Sequence, residues 1–306
     1  MNTMKRIGLA TGMLTDYEIN VIETEIVKTV RPMLIGRTLM PSRSLASAGF
    51  TQYTYYTEND MGQATISMTG EEQSMDLVDL TEAHVHIPII SKDYNLHWRD
   101  VLKRRDQGED LNTQHATNAA RQVAEEEDRL IISGEDTTWP ALGLAGLRAS
   151  CPGGAGSTFA GGNWLAAAGA GPVAAMGNVA TAKGMLRALG HMGPYKLIVP
   201  SPTYSGSLEQ LLPTPSDVFG FQAMGELLGG QENIVVSDSL YTATGTQTNA
   251  LVISVEPGNF ELLIGADITN YLAQLPTMNY QGKVWEAVVP VVKRPNAIIE
   301  ITDVTT

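Results

Sequence analysis

Residues 108–134, GEDLNTQHATNAARQVAEEEDRLIISG, decide the fold because they predict one long helix. Asn112 or Thr113 supplies the capping residue that helices favour at their start, and Gly134 supplies the usual stop. The apolar residues recur at helical spacing and form one stripe: Ala116, Ala120, Val123, Leu130 and Ile131. A helix of this kind buries its stripe against a sheet or another helix, which the rest of the chain must provide.

The same helix carries four consecutive carboxylates at residues 125–128. Successive helical residues are rotated by about 100°, so these side chains fan around the axis and cannot converge on one metal ion. The spacing predicts i,i+4 ion pairs of Glu125 with Arg121 and with Arg129 on the outer face. Glu127 falls near the apolar stripe, and we interpret it as a partly buried member of a structural salt bridge rather than a catalytic group.

Residues 14–30, LTDYEINVIETEIVKTV, predict a second amphipathic helix near the start of the chain. Thr15 and Glu18 have the spacing of a capping box. The apolar positions again follow the helical period: Ile19, Ile22, Ile26 and Val30. This stripe needs a partner, and the sequence leaves open whether it lies in the same chain or in a neighbouring one.

A β-hairpin is predicted between the two helices. Its first arm is residues 51–56, and polar residues 58–62 form the turn. In the second arm Ala64, Ile66 and Met68 alternate with polar residues. So few large aliphatic side chains cannot build a core, so we expect the hairpin to project and to pack on another surface.

The second half of the chain predicts a mixed α/β layer. The Gly- and Ala-rich residues 151–177 are typical of an exposed loop or linker, so we place a domain boundary there. Strands and helices then alternate: strands at 195–200, 233–237 and 250–255, and helices at 180–189 and 220–228. Upstream, residues 83–90 predict one strand, and residues 283–304 predict two strands interrupted by prolines.

Composition excludes several classes of protein. The 306 residues contain 20 Lys and Arg against 33 Asp and Glu, a net charge of −13, which disfavours sequence-specific binding to nucleic acid. The single cysteine, Cys151, cannot form an intrachain disulfide, which fits a reducing, intracellular location. No run of about 18 apolar residues predicts a membrane span, and the start of the chain lacks the pattern of a signal peptide.

The candidate chemistry is weak. His84 and His86 lie at i,i+2, a spacing that can bind zinc from one strand face, but no third ligand can be assigned. The glycine-rich segments lack the spacing of phosphate-binding loops, and Cys151 has no neighbouring base. We therefore predict no catalytic, cofactor-binding or metal-binding residue. A metal-dependent enzyme that uses His84, His86 and a nearby carboxylate remains a distant alternative.

Several segments, in order from near residue 14 to near residue 301, resemble the shell proteins of the Hong Kong 97 phage type, the fold shared by tailed-phage major capsid proteins and encapsulins. They are GRTLMP (36–41), the long helix at 108–134 followed by GLAGL (143–147), GPYKLIVPSPTY (193–204), ELLGGQENIVVSDSL (226–240), VISVEPGNFELLIGADI (252–268) and WEAVVPVVKRPNAIIEI (285–301). The order of these segments carries the resemblance more than any one of them.

The resemblance implies an α+β fold in four parts. Residues 1–45 would be an N-terminal helix and arm, and residues 46–76 an extended β-hairpin loop. Residues 77–174 and 281–306 would form a peripheral domain built on the long spine helix, and residues 175–280 an axial domain. The last segment would be a strand pair that closes the peripheral domain. Side chains expected at assembly contacts are Tyr53, Tyr55, Asp60, Met61, Ile66, Met68, Arg121, Glu125, Glu127 and Arg129.

Such a protein acts by self-assembly into an icosahedral shell, and two interpretations remain open, of which we take the first as the main hypothesis. The first is a viral or proviral major capsid protein that encloses a genome in a virion assembled in the host cytoplasm, with decoration, portal or scaffold proteins as partners. The alternative is a cytoplasmic encapsulin nanocompartment that encloses a cargo enzyme. The hairpin segment YYTENDMGQATI (55–66) is closer to phage capsid proteins and favours the first, and the Gly36–Arg37 pair after the opening helix favours the second.

Overall fold

A computed structural model describes residues 14, 16–30, 34–47, 49–58, 66, 68, 80–107, 113–135, 143–154, 156–165, 170–212, 218–240 and 249–305. Within these ranges the helices are α1 (Asp16–Val30), α2 (Trp98–Gln107), α3 (Gln114–Ile132), α4 (Ala170–Ala188), α5 (Ser201–Thr203) and α6 (Gly220–Leu228). None of these helices is both long and apolar enough to cross a membrane.

The strands of the described ranges form two larger sheets and two ribbons. They are β1 (Ser42–Ser44), β2 (Gln52–Glu58), β3 (Leu80–His86), β4 (Ile89–Leu96), β5 (Gly134–Glu135), β6 (Leu144–Ala145), β7 (Thr158–Ala160), β8 (Tyr195–Val199), β9 (Ile234–Val236), β10 (Ala250–Ser254), β11 (Phe260–Gln274), β12 (Tyr280–Val292) and β13 (Ile298–Thr302). One sheet has the order β1-β11-β12-β4 and the other β7-β13-β10-β8-β9, while β2-β3 and β5-β6 pair alone.

The spine helix α3 organises the first sheet. All five residues of its predicted apolar stripe are buried, and α3 packs against β12 and β4. The stripe of α1 is covered by the same chain, because Ile22, Ile26 and Val30 share a core with the alanines of α3. The two predicted helices are therefore confirmed, and the open question about the partner of α1 is answered; Thr15 of the predicted capping box lies outside the described residues.

The predicted stop of the spine helix is confirmed at Gly134, whose φ of +85° is a left-handed conformation. A Cβ at this position would lie 2.8 Å from the carbonyl oxygen of Leu144 on the paired strand β6. Changing Gly134 to alanine is expected to lower the free energy of unfolding by about 1–3 kcal/mol, because the strained backbone and the close strand both oppose a side chain.

Gly184→Ala is the matched control for that change. Gly184 lies inside α4, and a Cβ built there meets no atom within 4 Å. Alanine in the middle of a helix is favoured over glycine by roughly 0.5–1 kcal/mol, so this variant should be slightly stabilised. Thermal unfolding of both variants checks the pair, and equal unfolding temperatures would contradict the role given to Gly134.

The five-stranded sheet forms the predicted α/β layer. Its central strand β10 is buried along its whole length, and α4 and α6 cover one face through Val179, Leu186 and Met224. The helix predicted at 220–228 and the strands predicted near 195, 234 and 250 are confirmed.

The linker predicted at residues 151–177 is wrong from residue 158 onward. Residues 158–160 form β7, Trp164 is fully buried, and α4 begins at Ala170 instead of near residue 180. Alanine and glycine are abundant there because α4 packs closely, with Ala175 and Ala182 buried in the core. Small residues at a tight helix contact have the same composition as a linker, which explains the error.

The predicted hairpin has a different partner strand. β2 pairs with β3 from Gln52 opposite His86 to Glu58 opposite Leu80, so the first arm is confirmed and its partner is β3 instead of the predicted second arm. Ala64 and the predicted turn after Glu58 lie outside the described residues. Ile66 and Met68 lie outside any strand and are fully exposed. The single strand predicted at 83–90 is two strands, β3 and β4, separated at residues 87–88.

The C-terminal strands also differ from the prediction. β12 continues through Pro290, which is tolerated because β4 pairs with β12 only as far as Ala287, and no other strand of the described ranges pairs with that edge further along. The expected pairing of the last two strands is wrong, since β12 pairs with β11 and β4 whereas β13 pairs with β10 and β7. The division into domains stays a proposal, and sheet membership favours placing β11 with the spine helix and β13 with the axial layer.

Candidate functional site

The most distinctive site lies where the chain leaves α1 and turns past the spine helix. Residues 36–38 form one 3₁₀ turn, and Arg37 points from it into a cluster of carboxylates. Arg37 Nε lies 2.7 Å from Glu127 Oε1, and Nη2 lies 3.1 Å from Glu127 Oε2. The same Nη2 lies 3.1 Å from Glu286 Oε2, and Nη1 lies 2.7 Å from Asp267 Oδ1. We call Arg37, Glu127, Asp267 and Glu286 the arginine cluster.

Gly36 fixes the approach of this turn to α3. Its backbone N–H donates to Asp128 Oδ1 at 2.8 Å, and the N–H of Ile35 donates to the other oxygen at 3.3 Å. A Cβ on Gly36 would lie 2.8 Å from Ile131 Cδ1. Only glycine therefore lets the turn lie directly on the spine helix, and the resulting contact holds Arg37 over Glu127.

The members of the cluster come from four separate elements. Glu127 belongs to α3 and Glu286 to β12, and both side chains are fully buried. Asp267 lies where the ladder between β11 and β12 is irregular, and its side chain is 74% exposed. The guanidinium thus joins the N-terminal arm, the spine helix and both long strands of the first sheet.

Burial and charge act in opposite directions on these groups. Burial alone would lower the pKa of Arg37, but hydrogen bonds and charges of Glu127 and Asp267 raise it above its usual value. Burial raises the pKa of Asp128 to about 6 despite the two backbone N–H donors. Burial also acts to raise the pKa of Asp267, but the hydrogen bond and charge of Arg37 outweigh it, so the pKa of Asp267 is lowered. Burial, followed by the charge of Glu127, raises the pKa of Glu286 strongly. The cluster therefore holds one carboxyl that prefers its neutral form.

The other predicted residues of α3 lie on its outer face. Arg121 Nε lies 2.7 Å from Glu125 Oε1, which confirms that ion pair. Arg129 Nη1 lies 3.6 Å from Glu126 Oε2, an i,i+3 contact that was not predicted from the sequence. The buried salt bridge predicted for Glu127 is confirmed, with Arg37 as its partner, and the role of these residues in assembly stays a prediction.

The predicted contacts on the hairpin are only partly within the described residues. Tyr53 and Tyr55 are half-buried, and Asp60 and Met61 lie outside the described ranges. Arg43 donates to the hydroxyl of Tyr53 at 3.1 Å and lies over its ring at 5.9 Å. β2 also borders a cleft of about 510 Å³ that is lined on its far side by Pro257, Gly258, Lys293 and Arg294.

The histidines give no support to a metal enzyme. His84 Nδ1 lies 3.0 Å from Thr54 Oγ1, and its Nε2 lies 3.9 Å from Glu82. Across the described part of the chain no three His, Cys, Asp or Glu residues are placed to hold a metal ion. His84 is instead a cross-strand neighbour of Thr54 in the ribbon of β2 and β3.

Sequence reasoning missed three of the four carboxylates near Arg37. The Gly36–Arg37 pair stood out only by resemblance, and Asp128 was noted only as one of four carboxylates that fan around the helix. Glu286 carried a usable signal, because it is a lone acidic residue in the apolar run VWEAVVPVV. A charge in such a run indicates a buried partner, although the run does not indicate which residue that is.

Solved structures define the class of protein. The virus-like particle from Pyrococcus furiosus is similar to this chain with a TM-score of 0.66 at 15% identity, over 94% of this chain and 100% of that one. The capsid of Myoviridae phage XM1 gives a TM-score of 0.65 at 12% identity, over 87% of this chain and 90% of that one. The predicted Hong Kong 97-type capsid fold is therefore confirmed.

Sequence comparison then defines the family. The chain is 25% identical to the type 1 encapsulin shell protein EncA of Myxococcus xanthus (strain DK1622) over 293 residues, 95% of this chain and 94% of that protein. Residues 11–287 match the Linocin_M18 family, described as encapsulating protein for peroxidase. The chain belongs to this family and is a shell-forming structural protein that self-assembles. The preference for a viral capsid is corrected, since the family match supports the encapsulin alternative.

Proposed function

We propose that the chain is the subunit of an encapsulin nanocompartment, an icosahedral cytoplasmic shell that encloses a cargo protein. The match to the Linocin_M18 family over residues 11–287 carries the proposal. The name of that family mentions a peroxidase, so a redox enzyme is the first cargo to seek. The net charge of −13 fits a shell that does not depend on binding a genome.

We also propose that residues 59–79 reach a neighbouring subunit. These residues join the ends of β2 and β3, whose ladder closes with Glu58 opposite Leu80. Ile66 and Met68, the two described residues within this segment, are fully exposed in the single chain. Exposed apolar side chains of this kind indicate a surface that another molecule covers. In a closed symmetric shell the available molecule is a second copy of the chain.

The content of particles isolated from the natural host tests the proposed function. We expect closed particles with the ultraviolet absorbance ratio of pure protein. We also expect a second protein that stays bound to the particles through nuclease treatment and density centrifugation. Particles made from this chain alone in a foreign host are the matched control, because they should have the same shell without that partner. A genome-length nucleic acid protected from nuclease would contradict the encapsulin proposal and restore the viral one.

A further inference from the structure

Two fully buried carboxyl groups meet inside the arginine cluster. Glu127 Oε2 and Glu286 Oε2 each lie 3.1 Å from the same nitrogen, Arg37 Nη2, and both side chains are 0% exposed. Glu286 Oε2 accepts from Arg37, but Glu286 Oε1 has no hydrogen-bond donor among the described residues. Two ionised carboxylates cannot satisfy one another, since each is only an acceptor. A proton between them would remove both the repulsion and the unsatisfied oxygen.

The groups that face Glu286 come from every element packed around it. The turn at residues 36–38 contributes the positive charge of Arg37, and β11 contributes Asp267 at the exposed rim. The helix α3 contributes Glu127 and, one residue further, Asp128, whose oxygens are occupied by backbone N–H groups. On the side of β4, Glu286 lies opposite the apolar residue Ile90. Asp267 is exposed, so the buried part of the site holds one cation and two carboxylates, Glu127 and Glu286. If both were ionised, the buried site would carry one negative charge that Arg37 does not neutralise.

We propose that Glu286 is a neutral carboxylic acid that donates a hydrogen bond to Glu127, and that loss of the Glu286 proton weakens the contact of the turn at residues 36–38 with the spine helix. Arg37 and Glu127 hold the arm by two parallel hydrogen bonds. Ionisation of Glu286 brings a second full negative charge beside Glu127 in a buried site. Helix α1 stays packed on α3 through Ile22, Ile26 and Val30, so the weakened contact is confined to the turn at residues 36–38.

The direction of the pH dependence follows from the raised pKa of Glu286. Burial, together with the charge of Glu127, raises that pKa from 4.5 to about 10. The proton-bound form is therefore favoured in the folded chain, and its stabilisation is complete below pH 4.5. The stabilisation is lost progressively as the pH rises from 4.5 to about 10. The pKa of Asp128 is raised only to about 6, so its contribution to stability is lost at a lower pH than that of Glu286. Above pH 6, Glu286 is the one of these two groups whose ionisation still lowers the stability.

Glu286→Gln tests the proposal because the amide has nearly the shape of the neutral acid and cannot ionise. The amide oxygen can accept from Arg37 and the amide N–H can donate to Glu127. We expect the particles of this variant to persist to a pH about one unit or more above the point at which wild-type particles fail. Glu126→Gln, an exposed change on α3 beside Glu127, is the matched control and should follow the wild type.

Infrared spectroscopy of the wild-type chain supplies a second test that does not depend on a variant. We expect the carbonyl band of a protonated carboxylic acid at pH 7, absent from Glu286→Gln and lost from the wild type as the pH is raised into the alkaline range. The particle readout rests on the proposed function, whereas the infrared band is measured on the folded chain in any state of assembly. Absence of the band at pH 7, or the same alkaline limit for Glu286→Gln and the wild type, would overturn the proposal.

Discussion

Replacing Arg37 by methionine is expected to destabilise the folded subunit by about 3–5 kcal/mol and to prevent particles from forming. Methionine is similar in length and removes the only positive charge of the cluster. Glu127 and Glu286 are fully buried, so their carboxyl groups would remain without the cation that both contact. Asp267 should contribute little to this loss, because its side chain is 74% exposed.

Arg121→Met is the matched control for that experiment. Arg121 also pairs with a glutamate of α3 at 2.7 Å, but its side chain is 61% exposed, so its loss should cost less than about 1 kcal/mol. Thermal unfolding and electron microscopy of both variants compare a buried pair with an exposed one on the same helix. Adding Glu127→Gln to Arg37→Met should restore part of the stability, because the uncompensated charge of Glu127 is removed while Glu286 stays neutral. Equal stability of Arg37→Met and Arg121→Met would contradict the account of the cluster.

Shortening the loop between β2 and β3 is expected to abolish assembly and leave the subunit folded. Residues 59–79 can be replaced by Asn-Gly, because Glu58 and Leu80 are direct partners at the end of an antiparallel ladder. Asn-Gly is the preferred sequence for a two-residue turn in such a ladder. The cores around α3 and β10 receive no contribution from residues 59–79 among the described contacts, so the free energy of unfolding should change little.

Circular dichroism and size-exclusion chromatography check this second prediction. The expected result is a wild-type helix content with a sharp unfolding transition, in a sample that contains no particles. The wild-type chain, purified and concentrated in parallel, is the reference. Intact particles from the shortened chain would show that residues 59–79 do not make the proposed contact with a neighbour. An unfolded sample would show instead that these residues belong to the core.

The sequence predicted the elements that are buried on one side. The stripes of α1 and α3 repeat at the helical period because each helix has one face on a core, and this period is visible in the residues alone. The helix at 220–228 was predicted for the same reason, with a glycine in a left-handed conformation at its end. The local sequence is sufficient to predict an element wherever buried and exposed positions alternate along that element.

The sequence did not predict contacts between distant segments. β2 has strand character in its own residues, but its partner β3 begins at Leu80, beyond a segment that looks equally suitable as a second arm. The buried charge of Glu127 was predicted from its place in the stripe, whereas Arg37 and Glu286 are 90 and 159 residues away from it in the chain. Such partners are set by the register of strands and by how one helix lies on a sheet, and neither is encoded in local periodicity.

The particle mass of the purified chain tests the central claim most directly. We expect the chain expressed alone to form closed, hollow particles. Their mass, measured by native mass spectrometry, should be the subunit mass multiplied by a number of subunits that icosahedral symmetry allows, and electron microscopy should show their closed form. The particles should separate into folded subunits in denaturant and reform on its removal. A chain that stays monomeric, or forms only a small oligomer at high concentration and neutral pH, would contradict the assignment as a shell protein.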